Sequence, residues 1–217
     1  MSIDYLTNLK PNVILTSTIM KKLIIISFVS FFTLNLSAQD FGVKGGMSFS
    51  YMEGEDLDAL NADANYCNPG FTFGGFAQFG ESNMRFTAEV LYIQKGFDYS
   101  ISLWDQELSS RLVLNYIESN AMGSFYITDN SSINGGVYLG YLASGTNTTK
   151  TGEFSSTEDL EFDSEDRRIA YGANFGITLY LSEALQLDAR YGHGLLGTSE
   201  GSEVFNRTIQ FTFGLKL

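Results

Sequence analysis

Arg85, Glu89 and Lys95 stand an even number of positions apart in one stretch of the chain, and Asp188 and Arg190 do so in another, with Glu118 between the two stretches. Even spacing puts such residues on one face of an extended strand. Opposite charges gathered on facing strands support two kinds of chemistry: a gate or selective polar path, or a set of salt bridges that fills a narrow interior. Unpaired charge in a confined space is costly, which favours the second, structural role for these six residues.

No residue set points to catalysis. His193 is the single histidine, so no dyad or triad that needs a second one is available, and no Gly-x-Ser-x-Gly nucleophile elbow occurs. The lone Cys67 leaves neither an internal disulfide nor a cysteine-based metal site. Two acidic clusters remain: Glu53, Glu55, Asp56, Asp58 and Asp63, then Glu153, Glu158, Asp159, Glu161, Asp163, Glu165 and Asp166. Carboxylates suit calcium, yet neither stretch has the order of an EF-hand loop, and a solvated surface is the expectation. No catalytic residue, metal ligand or cofactor is expected.

The elements that must position these residues are clearest in the last stretch, Val204 to Leu217. From Ile209 every second residue is apolar (Phe211, Phe213, Leu215, Leu217), and Gln210, Thr212, Gly214 and Lys216 lie between. This is an amphipathic strand of about the length that crosses a membrane when tilted. Its open edge would leave a row of unpaired backbone groups, and closure onto the first strand supplies the missing partner.

Composition agrees. The 217 residues include 22 Gly, 18 Phe and 12 Tyr but 2 Pro, which favours many strands joined by turns. The formal charge is -12, and the acidic sign argues against nucleic acid as a partner. Lys21 and Lys22 precede the apolar run Leu23 to Leu36, and the small residues Ser37 and Ala38 follow, the pattern of an export signal. The expected organisation is an upstream extension or misread start over 1–19, a secretory signal over 20–38 and a barrel over 39–217.

Eight strand-like runs follow: Asp40 to Tyr51, Gly70 to Gly80, Met84 to Tyr99, Ser110 to Ile127, Ser132 to Ser144, Arg168 to Leu181, Leu185 to Leu195 and the last. In the fourth, the simple phase is lost near Glu118 to Asn120, where a bulge is expected. Connections alternate long and short, as in outer-membrane barrels with long external loops and short periplasmic turns. Tyr51, Phe71, Tyr92, Tyr141, Tyr171 and Tyr191 then fall towards the outer ends of their strands and Phe41, Phe79 and Phe86 towards the inner ends, as candidate aromatic girdles. Trp104, with Leu103 and Tyr99, is a candidate interfacial anchor. A soluble barrel would need charge on its outer face, yet Gly70 to Gly80 and Ser132 to Gly145 contain none.

The segments RFTAEVLYIQKGF (Arg85 to Phe97), LNYIES (Leu114 to Ser119), LQLDARYGHGL (Leu185 to Leu195) and NRTIQFTFGLKL (Asn206 to Leu217) resemble the strand patterns of the PorT-like, or porin family, outer-membrane β-barrel domain, a small barrel of the OmpA/OmpX kind. The resemblance covers nearly the whole mature chain and speaks to fold more than to activity. The chain departs from the pattern at Ser119 and Asn120, where the family often continues Ile-Pro, and at Leu217, where barrels usually end in an aromatic. The expectation is an all-β, eight-stranded, antiparallel up-and-down barrel in the outer membrane of a Gram-negative cell. It would be monomeric, with outer-membrane lipid around it and the barrel-assembly machinery engaged through the C-terminal strand. Its long loops would be extracellular, its termini periplasmic and its lumen polar and largely plugged. The expected role is surface interaction or envelope integrity without catalysis, with no extracellular partner identified; the alternative, which the family name implies, is transport or secretion.

Overall fold

The computed structural model describes residues 40–53, 68–80, 83–103, 106–151, 154–160, 168–197 and 205–217. All belong to one compact unit, Ala38–Leu217. The expected export signal, Cys67, Trp104 and most members of the two acidic clusters lie outside the described residues.

The strands are β1 (Asp40–Glu53), β2 (Asn68–Phe79), β3 (Met84–Leu103), β4 (Gln106–Thr128), β5 (Ser131–Thr151), β6 (Phe154–Asp159), β7 (Ile169–Tyr180), β8 (Leu185–Gly197) and β9 (Phe205–Lys216). Eight of them close a ring in the order β1, β2, β3, β4, β5, β7, β8, β9, each antiparallel to its neighbours, and β9 pairs back onto β1 from Gly42↔Lys216 to Glu53↔Phe205. Closure satisfies the edge groups that an open sheet would expose to lipid.

The alternation of β9 runs the opposite way to a soluble protein. Ile209, Phe211, Phe213 and Leu215 are exposed, whereas Thr208, Gln210 and Thr212 are buried. The same inversion holds round the ring: Val137, Phe175 and Ile177 face out, and Lys44, Glu89, Asn174 and Asp188 face in. Water would not tolerate such an outer wall, and hydrocarbon requires it. The expected girdle residue Tyr92 stacks on Phe71 and Phe73 at centroid distances of 5.6 and 5.2 Å on the outer wall. Gly80, just after β2, has φ 105°, which a residue with a Cβ rarely adopts in a tight turn.

Three expectations need correction. First, the long connection Gly145 to Asp166 contains a strand. β5 runs on to Thr151, and β6 pairs with it from Thr146↔Asp159 to Thr151↔Phe154. Thr146, Thr148, Thr149, Thr151 and Thr157 give this polar stretch the β-branched content that a strand favours.

Second, the connection after β3 is shorter than Ser100 to Leu108, because β3 and β4 stay paired up to Leu103↔Gln106. By contrast, β2 pairs with β3 no farther than Thr72↔Ile93. β3, β4, β5 and β6 therefore continue as an arm at the long-loop end of the barrel.

Third, β4 keeps one phase, and Glu118 to Asn120 pairs regularly on both sides. One register shift lies between Asn115 and Tyr116, opposite Ser144 and Leu142, where the unpaired residue is Ala143 of β5, and a second lies between Tyr126 and Thr128 beside the β4–β5 turn. The phase of β4 looked broken because Leu114 and Met122 sit on the inward row with Glu118 and Asn120.

The lumen is accordingly less polar than expected: Phe76, Leu91, Ile93, Leu114, Met122, Tyr138 and Leu142 are buried in it. Space for the larger of them comes from inward glycines on the next strand. A Cβ on Gly42 would lie 2.6 Å from Cζ of Phe76, and one on Gly172 would lie 2.5 Å from Cε1 of Tyr138.

Candidate functional site in the barrel lumen

Period-two alternation sends Lys44 of β1, Glu89 of β3 and Asp188 and Arg190 of β8 to the same interior. Lys44 Nζ donates to Glu89 Oε1 at 2.6 Å and to Asp188 Oδ2 at 2.9 Å. Arg190 donates from Nη1 to Glu89 Oε2 at 2.7 Å and from Nη2 to Glu89 Oε1 at 3.0 Å, a bidentate fork. Asp188 also accepts from the hydroxyls of Thr178 on β7 and Thr212 on β9, at 2.5 and 3.3 Å. Two cations and two carboxylates thus neutralise one another, each nearly inaccessible to solvent.

β3 and β8 stand four places apart in a ring of eight, on opposite walls. The fork from Arg190 to Glu89 therefore spans the lumen from side to side. Lys44 lies against it, its Nζ 5.3 Å from the centroid of Phe76. An interior of eight strands is just wide enough for side chains, and here charged and aromatic groups together occupy it.

A second pair lies towards the long-loop end. Lys95 Nζ donates to Glu118 Oε2 at 2.7 Å and sits 4.5 Å from the Tyr138 ring and 5.5 Å from the Tyr116 ring. A third group closes the short-turn end. Arg85 Nη1 and Lys216 Nζ both donate to Asp40 Oδ2, at 3.1 and 3.0 Å. Arg85 lies 5.4 Å from the Tyr126 ring and Lys216 5.7 Å from the Tyr180 ring, and these two rings stack at 5.2 Å. At the other end, Arg207 donates from Nε to Glu53 Oε2 at 2.9 Å and from Nη1 to the Gly194 carbonyl at 3.0 Å.

The six residues read from the sequence thus fall into three groups. Glu89, Asp188 and Arg190 meet; Lys95 and Glu118 meet; Arg85 stands apart from both, at the short-turn end. Sequence reasoning passed over Lys44, Asp40, Lys216 and Arg207. Lys44 and Lys216 were visible on the polar rows of β1 and β9, but which carboxylate each would reach depends on strand order and register.

The chemistry open to this arrangement is closure. Each carboxylate of the central group accepts from at least one cation, and Asp188 accepts from two hydroxyls as well. Glu118 Oε1, Asn120 Nδ2 and Arg190 Nε are buried without a partner among the described residues, which leaves a few polar atoms suited to ordered water. His193 is elsewhere, on the outer wall, with its Nδ1 3.4 Å from the Tyr191 hydroxyl. Among the described residues no three His, Cys, Asp or Glu side chains gather as a metal site.

Among solved structures, the chain is similar to Neisserial surface protein A (15% identity, 82% of this chain and 97% of that one, TM-score 0.49). It is also similar to Ail, the attachment invasion locus protein of Yersinia pestis (13% identity, 82% and 98%, TM-score 0.46), and to OprG from Pseudomonas aeruginosa (15% identity, 83% and 97%, TM-score 0.42). No curated protein matches the chain. The family model of the outer membrane protein β-barrel domain matches residues 37–200, well over half of the chain. With a closed ring of strands and an apolar outer wall already in view, that match gives the conclusion: the chain belongs to the outer membrane protein β-barrel domain family.

Proposed function

We propose that this protein is a non-enzymatic, monomeric surface protein of the outer membrane, whose closed barrel anchors a polar arm outside the cell for surface interaction or envelope integrity. The observation that carries this reading is the Arg190–Glu89 fork, which with Lys44 beside it spans the lumen from wall to wall. Short turns would face the periplasm and the arm the exterior, as is usual for barrels of this kind. The arm ends in β6, whose six residues are all exposed and whose far edge pairs with no strand among the described residues. Phe154 is 84% exposed at one end of it, and Glu158 and Asp159 carry charge at the other. Threonine and serine hydroxyls, carboxylates and an open strand edge make a contact surface, and they make a poor pore.

The test is conductance of the purified protein in planar bilayers, paired with surface binding by cells that carry an arm-shortened variant. No steady channel and a loss of binding are expected. Steady nanosiemens-scale channels would instead favour the porin-like or PorT-like reading, transport or secretion, and would end the closed-barrel proposal.

A further inference from the structure

Seven of the eight pairings in the ring join strands that follow one another round the chain, counting β5 and β7 across β6. The eighth, β1 with β9, does not. Its register is set by no turn, and it brings together residues as far as 176 positions apart. Such a closure comes with a large loss of chain entropy and needs something to specify it.

The apolar pattern alone is insufficient. Outward pairs at this seam are Val43↔Leu215, Met47↔Phe211 and Phe49↔Ile209. A slip of two residues either way keeps the same faces in and out and still sets Val43 and Met47 opposite apolar residues on the lipid side, although the slip that moves Met47 opposite Ile209 also sets Phe49 opposite Arg207. The inward row is nearly as permissive, since Gly46, Ser48 and Ser50 face Thr212, Gln210 and Thr208. One of the two slips is visibly poor, because it sets Lys44 opposite Lys216.

Charges supply what the pattern lacks. Three ion pairs cross this seam: Asp40–Lys216 near the short-turn end, Lys44–Asp188 in the lumen reaching over β9 to β8, and Glu53–Arg207 near the long-loop end, with N···O distances of 3.0, 2.9 and 2.9 Å. They occupy both ends and the interior of one strand pair. In the observed ladder Asp40 and Lys44 stand two places out of line with Lys216 and with Thr212, the neighbour of Asp188, in one sense, and Glu53 stands two places out of line with Arg207 in the other. A slip of two that aligns either set carries the other four places out of line, so the observed register alone keeps all three pairs within reach. We propose that these three ion pairs select the register in which β9 closes onto β1. The last pairing to be specified locally becomes the one most specified by charge.

The experiment uses the full chain carrying Cys67→Ser, with cysteine pairs placed on the outer wall. Met47→Cys with Phe211→Cys reports the native register; Met47→Cys with Ile209→Cys or Phe213→Cys reports the two slipped ones. Without further change, cross-linking is expected in the native pair alone. In the background Asp40→Asn, Lys44→Met and Glu53→Gln, the ratio of slipped to native cross-link is expected to rise about tenfold or more. A variant of that background which folds in good yield and still cross-links solely in the native pair would overturn the proposal.

Should the neutralised chain not fold, the Glu53–Arg207 pair at the long-loop end decides. Glu53→Arg alone sets like charges across the seam and is expected to raise the slipped product, and adding Arg207→Glu is expected to return it to the starting level. Slipped product unchanged in both variants would also overturn the proposal.

Discussion

Replacing Glu89 with glutamine tests the closed lumen most directly. The substitution keeps volume and removes one negative charge from a neutral group of four. Glu89 accepts three charge-assisted hydrogen bonds, one from Lys44 and two from Arg190. A glutamine offers one acceptor oxygen in place of two, and its amide turns donors towards a cation. Arg190 then has no full counter-charge on the far wall, and its Nε already lacks a partner among the described residues.

Removing one member of a buried ion pair costs about 3–5 kcal/mol. At about 1.4 kcal/mol per decade, the folded-to-unfolded ratio falls by roughly two to three and a half orders of magnitude. The assay is urea titration of the barrel in lipid vesicles, with the folded fraction read from the mobility of unheated samples on gels. Glu89→Leu with Arg190→Met removes both charges and supplies apolar volume, so the double variant is expected to be more stable than Glu89→Gln, because a matched apolar replacement of a buried pair is close to neutral. A single-variant cost below about 1 kcal/mol, the range of exposed pairs, would refute the reasoning, as would zero coupling between the two sites. Either result would mean that Glu89 and Arg190 do not face each other across a dry interior.

Three further outcomes follow from other walls of the barrel. Alanine at Gly46 is expected to be severe, because its Cβ would lie 2.0 Å from the Phe211 carbonyl oxygen; at Gly214 it should be milder, since it meets the flexible Gln186 side chain; at Gly123, with one atom at 3.9 Å, it should be close to neutral. Thermal shifts in vesicles check that order. Val137→Arg, on the outer wall at mid-strand and 61% exposed, is expected to cost about 2–4 kcal/mol in a bilayer, and Leu181→Arg, past the end of β7, about 0–1 kcal/mol, both by urea titration. Replacing β6, 154–159, with a flexible polar segment of the same length should leave barrel stability within about 0.5 kcal/mol, because its residues are all exposed and such positions away from packed features contribute little, while any binding by the arm is lost.

The ring, its inverted faces and its inward charges were legible because each rests on a period of two within a single run. Ile209 to Leu217 declares its faces without reference to any other strand, and so do Arg85, Glu89, Asp188 and Arg190. Partners were not legible in that way. Lys44 meets Glu89 and Asp188 through an arrangement set jointly by β1, β3, β8 and the β9 between them, which no single run contains. β6 was hidden for a different reason: its Ser, Thr and acid content reads as loop by polarity, and strand formation there depends on the edge that β5 extends beyond β7.

The apolar part of the lumen shows why face chemistry is a weaker guide inside a narrow barrel than outside it. The outer wall answers to one solvent, and a charge there is an error at any position near mid-membrane. The inner wall answers to volume. Phe76 is admitted because Gly42 stands beside it, Tyr138 because Gly172 does, and Gln186 because Gly214 does. Each of those pairs spans neighbouring strands, so the large residue looks like a fault in its own alternation until the glycine opposite is identified. Charge then fills what volume leaves: Glu89 lies opposite Phe76 in the ladder and takes Lys44 and Arg190 as partners, so that a large ring and a neutralised set of charges share one section of the lumen. An interior assembled on that principle resists opening by any one residue, since a smaller side chain leaves buried charge unpaired and a larger one meets backbone.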